Sequence, residues 1–393
     1  MVNIPLLLSA SAAGCSASNL FVTSYGGTLT TLSLDDAADG SYTLNTAYSS
    51  TSCGESPSWL TLDSERGILY CLDEGLTSTN GTINSLLVGE DGGLNLVTSQ
   101  QAISGPVSSV LYGSPNARHL AVAHYSGSSV SYWNAPKNGS ISLVGSQTFT
   151  LDAPGVVPDR QDAPHEHEAI LDPTGKFVIV PDLGADIVRV FSYDTTGALT
   201  EEEPLSTEGG TGPRHAAFWT GKSYYGNSTY FYLVGELDNS LTTYSVTYPP
   251  AGGLSFTELH KESTFGDAPE PEGAVAAEIE VSPDNRFLIV SNRNDSSFEI
   301  SSAYNGTKQY SDSLSTFSIQ PNGSLAFEHL APAGGFFPRH FSLNGDGDLI
   351  AVALQFDSKL IVKKRDVQTG VIGDEVASIS IPGNLTCVVW DEC

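Results

Sequence analysis

Six segments of this 393-residue chain share one grammar: a short β-rich run, a turn built on Asp, Gly or Asn, and a second β-rich run. They read "SWLTLDSERGILYCLDE" from Ser58, "VSSVLYGSPNARHLAVAHY" from Val107, "HEAILDPTGKFVIVPDL" from His167, "RHAAFWTGKSYYGNSTYFYLVGEL" from Arg214, "AEIEVSPDNRFLIVSNR" from Ala277 and "RHFSLNGDGDLIAVALQ" from Arg339. A third run follows each, as in "DIVRVFSYD", "SLTTYSVTY" and "KLIVKKRDV". Helical periodicity is nearly absent, so the chain is all-β. Repeats about 50 to 60 residues apart fit four-stranded propeller blades with variable loops. The N-terminal "NLFVTSYGGTLTTLSLDD" reads as the second and third strands of a unit that lacks its first, and the C-terminal "NLTCVVWDE" is a lone strand without a blade. Joined, they make a seventh blade and close the ring, which removes the exposed sheet edges of an open array. The expected fold is a seven-bladed β-propeller over residues 15–393, in preference to two stacked β-sandwiches, because no linker interrupts the repeats.

In a propeller the first strand of each blade lines the central channel, so repeat-equivalent positions form rings. The alignment places Ser58, Val107, His167, Arg214, Ala277 and Arg339 in one ring. A second ring is expected at the end of the second strand, with Ser24, Asp73, His124, Asp182, Glu236, Asn292 and Leu354, and Arg293 next to Asn292. Strand alternation sends His165 to the same face as His167 and turns Glu166 and Glu168 away. Channel mouths of this kind are where loops and strand ends converge on ligands.

Charge narrows the partners. Lys and Arg number 17 against 45 Asp and Glu, a formal net charge of −28. Nucleic acid and anionic membrane surfaces are excluded, since phosphates would be repelled. No apolar run reaches the ~18 residues needed to span a bilayer. Residues 1–14 read as a signal peptide without a basic start, and Asn-x-Ser/Thr sequons stand at Asn80, Asn138, Asn227, Asn294, Asn305, Asn322 and Asn384. A secreted, N-glycosylated monomer is expected. Of the five cysteines, Cys53 is expected to pair with Cys71 and Cys15 with Cys393 across the closure seam, leaving Cys387 free and buried. None forms a CxxC pair. No GxSxG, HExxH, P-loop or dinucleotide fingerprint is present, so those chemistries have no support.

The segments "PHEHEAILDPTGKFVIVPDLGADIVRVF", "GPRHAAF", "YLVGELDNSL", "EIEVSPDNRFLIVSNR" and "FPRHFSLNGDGDLIAV" resemble the seven-bladed lactonase family, which includes bacterial 6-phosphogluconolactonases and the fungal carboxy-cis,cis-muconate lactonizing enzyme. The resemblance to the muconate enzyme implies a site of His167, Arg214, Glu236 and Arg293. The resemblance to the phosphogluconolactonases places the histidine at His165 instead. Either way the ligand implied is a small anionic or sugar lactone, and no cofactor or metal is required.

Lactone chemistry needs a cationic clamp and a proton carrier. Arg214, Arg293 and Arg339, with Asp182, are the candidate substrate-binding groups, because guanidinium holds carboxylates in a bidentate fork. His167 and His165 are the candidate acid/base groups, and Glu236 a partner or proton donor. Two other readings stay open. His165 and His167 with Glu236 or Asp182 could chelate a metal for hydrolysis, and a secreted propeller can serve as a non-catalytic binding platform.

Overall fold

The computed structural model describes residues 17–223, 226–250, 252–301 and 307–392. They form seven sheets of four or five strands and one separate two-stranded hairpin. The ring closes as expected: Leu385–Asp391 runs antiparallel to Ala17–Ser24, with Phe21 facing Val389. Blade 1 therefore takes its innermost strand from the C-terminus and the other three from the N-terminus. Blades 2 to 7 follow in chain order, opening with Pro57–Asp63, Pro106–Ser114, Ile170–Leu171, Pro213–Ser223, Val275–Val281 and Pro338–Leu343. The hairpin of Phe298–Ser301 and Lys308–Ser311 is an insertion in blade 6.

The core lies between neighbouring blades. Val22 and Leu34 of blade 1 meet Ala351, Ala353 and Val362 of blade 7, all buried, and blades 4 and 5 enclose Ile179, Val190, Phe231 and Leu233 in the same way. Each large apolar side chain buried in this fashion contributes about 1.5–3 kcal/mol. Strand alternation feeds two such interfaces from every sheet, one per face, which is why the central strands read as unbroken apolar runs like "LIAVAL". Cys53 is bonded to Cys71 and Cys387 is a buried free thiol. The Cys15–Cys393 pairing falls outside the described residues, as does Asn305.

One backbone irregularity recurs in every blade and decides what the channel contains. In blade 2, Pro57 faces Asp73 but Trp59 faces Leu72, so Ser58 is an extra residue on its strand. The same slip occurs at Val107, between Pro213 and Ala216, between Ala276 and Ile279, at Arg339 and at Thr386. Blade 4 repeats it: Glu166 faces Asp182 while Ile170 faces Ile179, one residue out of step. A bulge sends two consecutive side chains toward the same side instead of alternating them. The channel is thus lined by two stacked layers, such as His167 over Glu168 and Arg214 over His215.

Candidate active site

The upper layer opens into a chamber of about 140 Å³ lined by Tyr25, Glu74, Tyr125, Arg160, His167, Glu236, Arg293 and Arg339. Four of the chain's 17 basic residues meet here or immediately beneath, in a protein of net charge −28. Glu236 organises three of them. Its Oε2 lies 2.8 Å from Arg214 Nε and 2.9 Å from Arg293 Nη2, and its Oε1 accepts from Arg160. Burial would push this carboxyl up, but the three guanidinium groups hold it far below the usual carboxylate range. Glu236 is therefore a permanent anion that cages arginines. Burial, followed by repulsion from Arg293, brings Arg214 down to about 9, so it stays charged at neutral pH.

Arg339 differs from the other three. Among the described residues it has no hydrogen bond or ion pair, and its contact is the Tyr25 ring, 5.8 Å from the centroid. Tyr25 in turn donates its hydroxyl to Glu74. Arg214 Nη1 is also buried without a hydrogen-bond partner among the described residues. These are the cationic N–H groups left uncommitted at the mouth.

His167 hangs between the layers. Its ring meets Tyr125 edge-on at 5.5 Å and its Nδ1 lies 3.2 Å from His215 Nε2. Burial, then the charge of Arg214, hold His167 well below the ordinary imidazole value, so it is neutral at pH 7. In the lower layer His215 Nδ1 lies 2.9 Å from Glu278 Oε1, and His340 Nε2 lies 3.5 Å from Glu278 Oε2. Trp59 packs edge-on against both His215 and His340. Glu168 accepts the Ala216 N–H at 2.7 Å and is pushed up by burial and by Glu278.

With this geometry in place, comparison with known proteins is direct. A family model described as "Lactonase, 7-bladed beta-propeller" matches residues 19–390. The chain belongs to the seven-bladed β-propeller lactonase family. It is 32% identical over 335 residues, 85% of this chain and 80% of the other, to an Arthroderma benhamiae protein described as "Probable 6-phosphogluconolactonase". Identity to the 6-phosphogluconolactonase of Bacillus subtilis is 25% over 329 residues, 83% of this chain and 85% of that one. Among solved structures, the periplasmic gluconolactonase of Pseudomonas aeruginosa is 26% identical and superimposes with a TM-score of 0.78 over 95% of this chain and 99% of that one.

Of the residues singled out in this lactonase from sequence, His167, Arg214, Glu236, Arg293 and Arg339 are brought together. His165 is not. It stacks on the outer side of Tyr125 at 4.2 Å, its Nδ1 on the Tyr125 carbonyl and its Nε2 on Asp162. Asp182 is also elsewhere: Oδ1 accepts the N–H groups of His165, Gly184 and Ala185, and Oδ2 binds Arg189, which Glu166 also holds. With His165 and Asp182 committed in this way, the HxH chelate is not assembled. Except at Glu236, the expected second ring was one residue short. Cross-strand pairing makes Asp182 equivalent to Asp73, His124, Gly235, Asn292 and Leu354, and in four of these repeats it is the next residue, Glu74, Tyr125, Glu236 or Arg293, that reaches the mouth.

Glu168 corrects the alternation argument, because the bulge turns it inward beside His167. It is one of three buried donors, with His215 and Glu278, close enough together to hold a cation. Sequence reading missed His215, Glu278 and His340 for the same reason, although each directly follows a residue of the first ring. Arg160 comes from the long connection before blade 4, and only its basic character in so acidic a chain marked it.

Proposed function

We propose that this lactonase hydrolyses a small aldonolactone at the channel mouth, with His167 as the general base and Arg339 as the principal cationic group. The observation that carries this reading is the presence, in one chamber, of a neutral imidazole and a guanidinium with uncommitted N–H groups. His167 takes a proton from water as the water oxygen attacks the lactone carbonyl. Arg339, with Arg214 Nη1 beneath it, meets the negative charge that develops on the carbonyl oxygen. Collapse breaks the ring C–O bond, the protonated His167 returns its proton to the leaving ring oxygen, the new carboxyl group releases its remaining proton to solvent, and Arg339 retains the carboxylate. Each step balances with water as the sole co-reactant.

The substrate class follows from what remains. A chamber of about 140 Å³ is smaller than the ~300–1,000 Å³ of drug-sized sites, so it suits one small ring. Arg160, Arg214 and Arg293 already share Glu236, which leaves Arg339 as the one chamber guanidinium among the described residues without a carboxylate partner, and it faces the reacting carbonyl. An unphosphorylated sugar lactone is the better match, in keeping with the gluconolactonase name of the Pseudomonas relative. Steady-state hydrolysis of glucono-δ-lactone and of its 6-phosphate, corrected for the spontaneous rate, tests this. The expected result is a higher kcat/KM for the unphosphorylated ring, lowered about 10²–10⁴-fold in His167→Ala. Preference for the phosphate would overturn the substrate class, and wild-type turnover by His167→Ala would overturn the mechanism.

Export and glycosylation complete the proposal. The sequon residues Asn80, Asn138, Asn294, Asn322 and Asn384 are exposed, and phosphorylated sugars are scarce outside cells.

A further inference from the structure

The channel's lower layer contains a chain of side chains that lactone hydrolysis as derived above does not use. Val388 N–H points at His340 Nδ1 from 3.4 Å, which leaves the His340 proton on Nε2, facing Glu278. Glu278 also accepts the Ile279 N–H at 3.0 Å and lies 2.9 Å from His215 Nδ1. His215 Nε2 lies 3.2 Å from His167 Nδ1, and His167 Nε2 has no protein partner among the described residues.

We infer that Glu278 and His215 are positioning residues that fix the tautomer of His167, so that its Nε2 faces the channel mouth as a bare lone pair. The reasoning is a proton count along the chain. An ionised carboxylate can only accept, so His215 must carry its hydrogen on Nδ1. A neutral imidazole has a single N–H, so His215 Nε2 is an acceptor. His167 Nδ1, 3.2 Å away, must then be the donor in that contact. His167 in turn has no second proton, and Nε2 is left free to take one from water.

The charge states this count requires are those the surroundings impose. Burial would raise Glu278, but His215 and His340 bring it down to about 2. Burial lowers His215 to about 4 and keeps His167 neutral as well. Trp59, edge-on to His215 at 5.7 Å and to His340 at 5.0 Å, fixes the planes of the rings between which Glu278 sits. The relay explains why a buried acid and two buried histidines occupy a channel layer that apolar side chains could fill at lower desolvation cost.

This inference rests on His167 as the base, and the experiment separates the two. In wild-type protein labelled with ¹⁵N-histidine, the ring nitrogens of His167, assigned by loss of its signals in His167→Ala, report the tautomer directly and without substrate. The expected form is Nδ1–H with Nε2 bare, the opposite of the form free histidine prefers. In Glu278→Gln the amide can donate to His215 Nδ1, the chain reverses, and His167 becomes Nε2–H. The kcat for glucono-δ-lactone should then fall by about 10²–10⁴-fold, the loss typical of an acid/base group or of its wrong tautomer, with KM little changed. Finding His167 as Nε2–H in the wild type would overturn the relay whatever the enzyme hydrolyses. So would Glu278→Gln with wild-type kcat, or a stoichiometric metal ion on His215 Nδ1. If the tautomers are as stated but His167→Ala retains activity, the catalytic reading fails and the relay stands as structure alone.

Discussion

Replacing Glu236 by Gln keeps the shape of the side chain and removes the one charge on which three guanidinium groups converge. In the wild type Arg214 Nε and Arg293 Nη2 lie 2.8 and 2.9 Å from Oε2, with Arg160 on Oε1, and Glu236 is 3% exposed. Leaving buried partners uncompensated costs about 3–5 kcal/mol. An unfolding entropy of ~2.1 cal/mol/K per residue gives ~0.8 kcal/mol/K for a chain of this size, so Tm should fall by roughly 4–6 °C at pH 7. The sign with pH follows from the direction of the shift. The folded carboxyl is depressed below its unfolded value near ~4.3, so its contribution is present in full above that value. It is lost as pH falls through the depressed folded value. Scanning calorimetry of wild type and Glu236→Gln should therefore show the full gap at pH 7 and a narrowing gap only in strong acid. An unchanged Tm at pH 7 would refute the idea that this carboxylate holds the arginine cage, and a gap that closes between pH 7 and 5 would show that some other group carries it.

Arg339→Met, which removes the cation without a hydrogen-bonded protein partner, should lower kcat by about 10²–10³-fold, the loss typical of one oxyanion-stabilising donor, and raise the Ki of the carboxylate product by about 30- to 1,000-fold, the ~2–4 kcal/mol of a charge-assisted contact in a partly desolvated site. Thermal stability should move by less than about 1 kcal/mol, since no ion pair is broken. His165→Ala should change kcat by no more than about twofold, whereas His167→Ala should lower it by ~10²–10⁴-fold; the reverse order would return the base to the position that the bacterial enzymes' pattern suggests. Because burial lowers His167 below its ordinary value, kcat/KM should hold steady as pH drops from 7 to 6 and fall only at lower pH, and a loss of activity centred at or above pH 6.5 would contradict a buried neutral base. Expression in a secretory host should give a mass that drops on enzymatic deglycosylation, and an unglycosylated product retained in the cell would end the export reading.

The repeat grammar was enough to establish the all-β class, the seven blades and even the closure. Apolar runs of strand length separated by Asp, Gly and Asn turns can satisfy their backbone only in sheets. An N-terminal segment without a first strand and a C-terminal strand without a blade can satisfy theirs only against each other. The same alignment reached His167, Arg214 and Arg339, because positions repeated at the blade period must share a radius from the axis. Glu236 was reached directly, and Arg293 as the neighbour of Asn292, in a ring that was one residue short at its other positions.

What remained was decided in three dimensions. The extra residue in each inner strand has no side-chain signature, since it is a change of pairing register between two strands, yet it turned Glu168, His215, Glu278 and His340 into the channel, where simple alternation had pointed them away. His165 and Asp182 looked equivalent to site residues, and only their neighbours, Tyr125 for one and Arg189 with three backbone N–H groups for the other, show them committed elsewhere. Charge state was the least legible of all. Whether a carboxyl group is an anchoring anion or a neutral bystander depends on how many cations and N–H donors surround it once water is gone: the same side chain is held low at Glu236 and Glu278 by their cationic and imidazole partners across the ring and pushed up at Glu168 by burial and by Glu278.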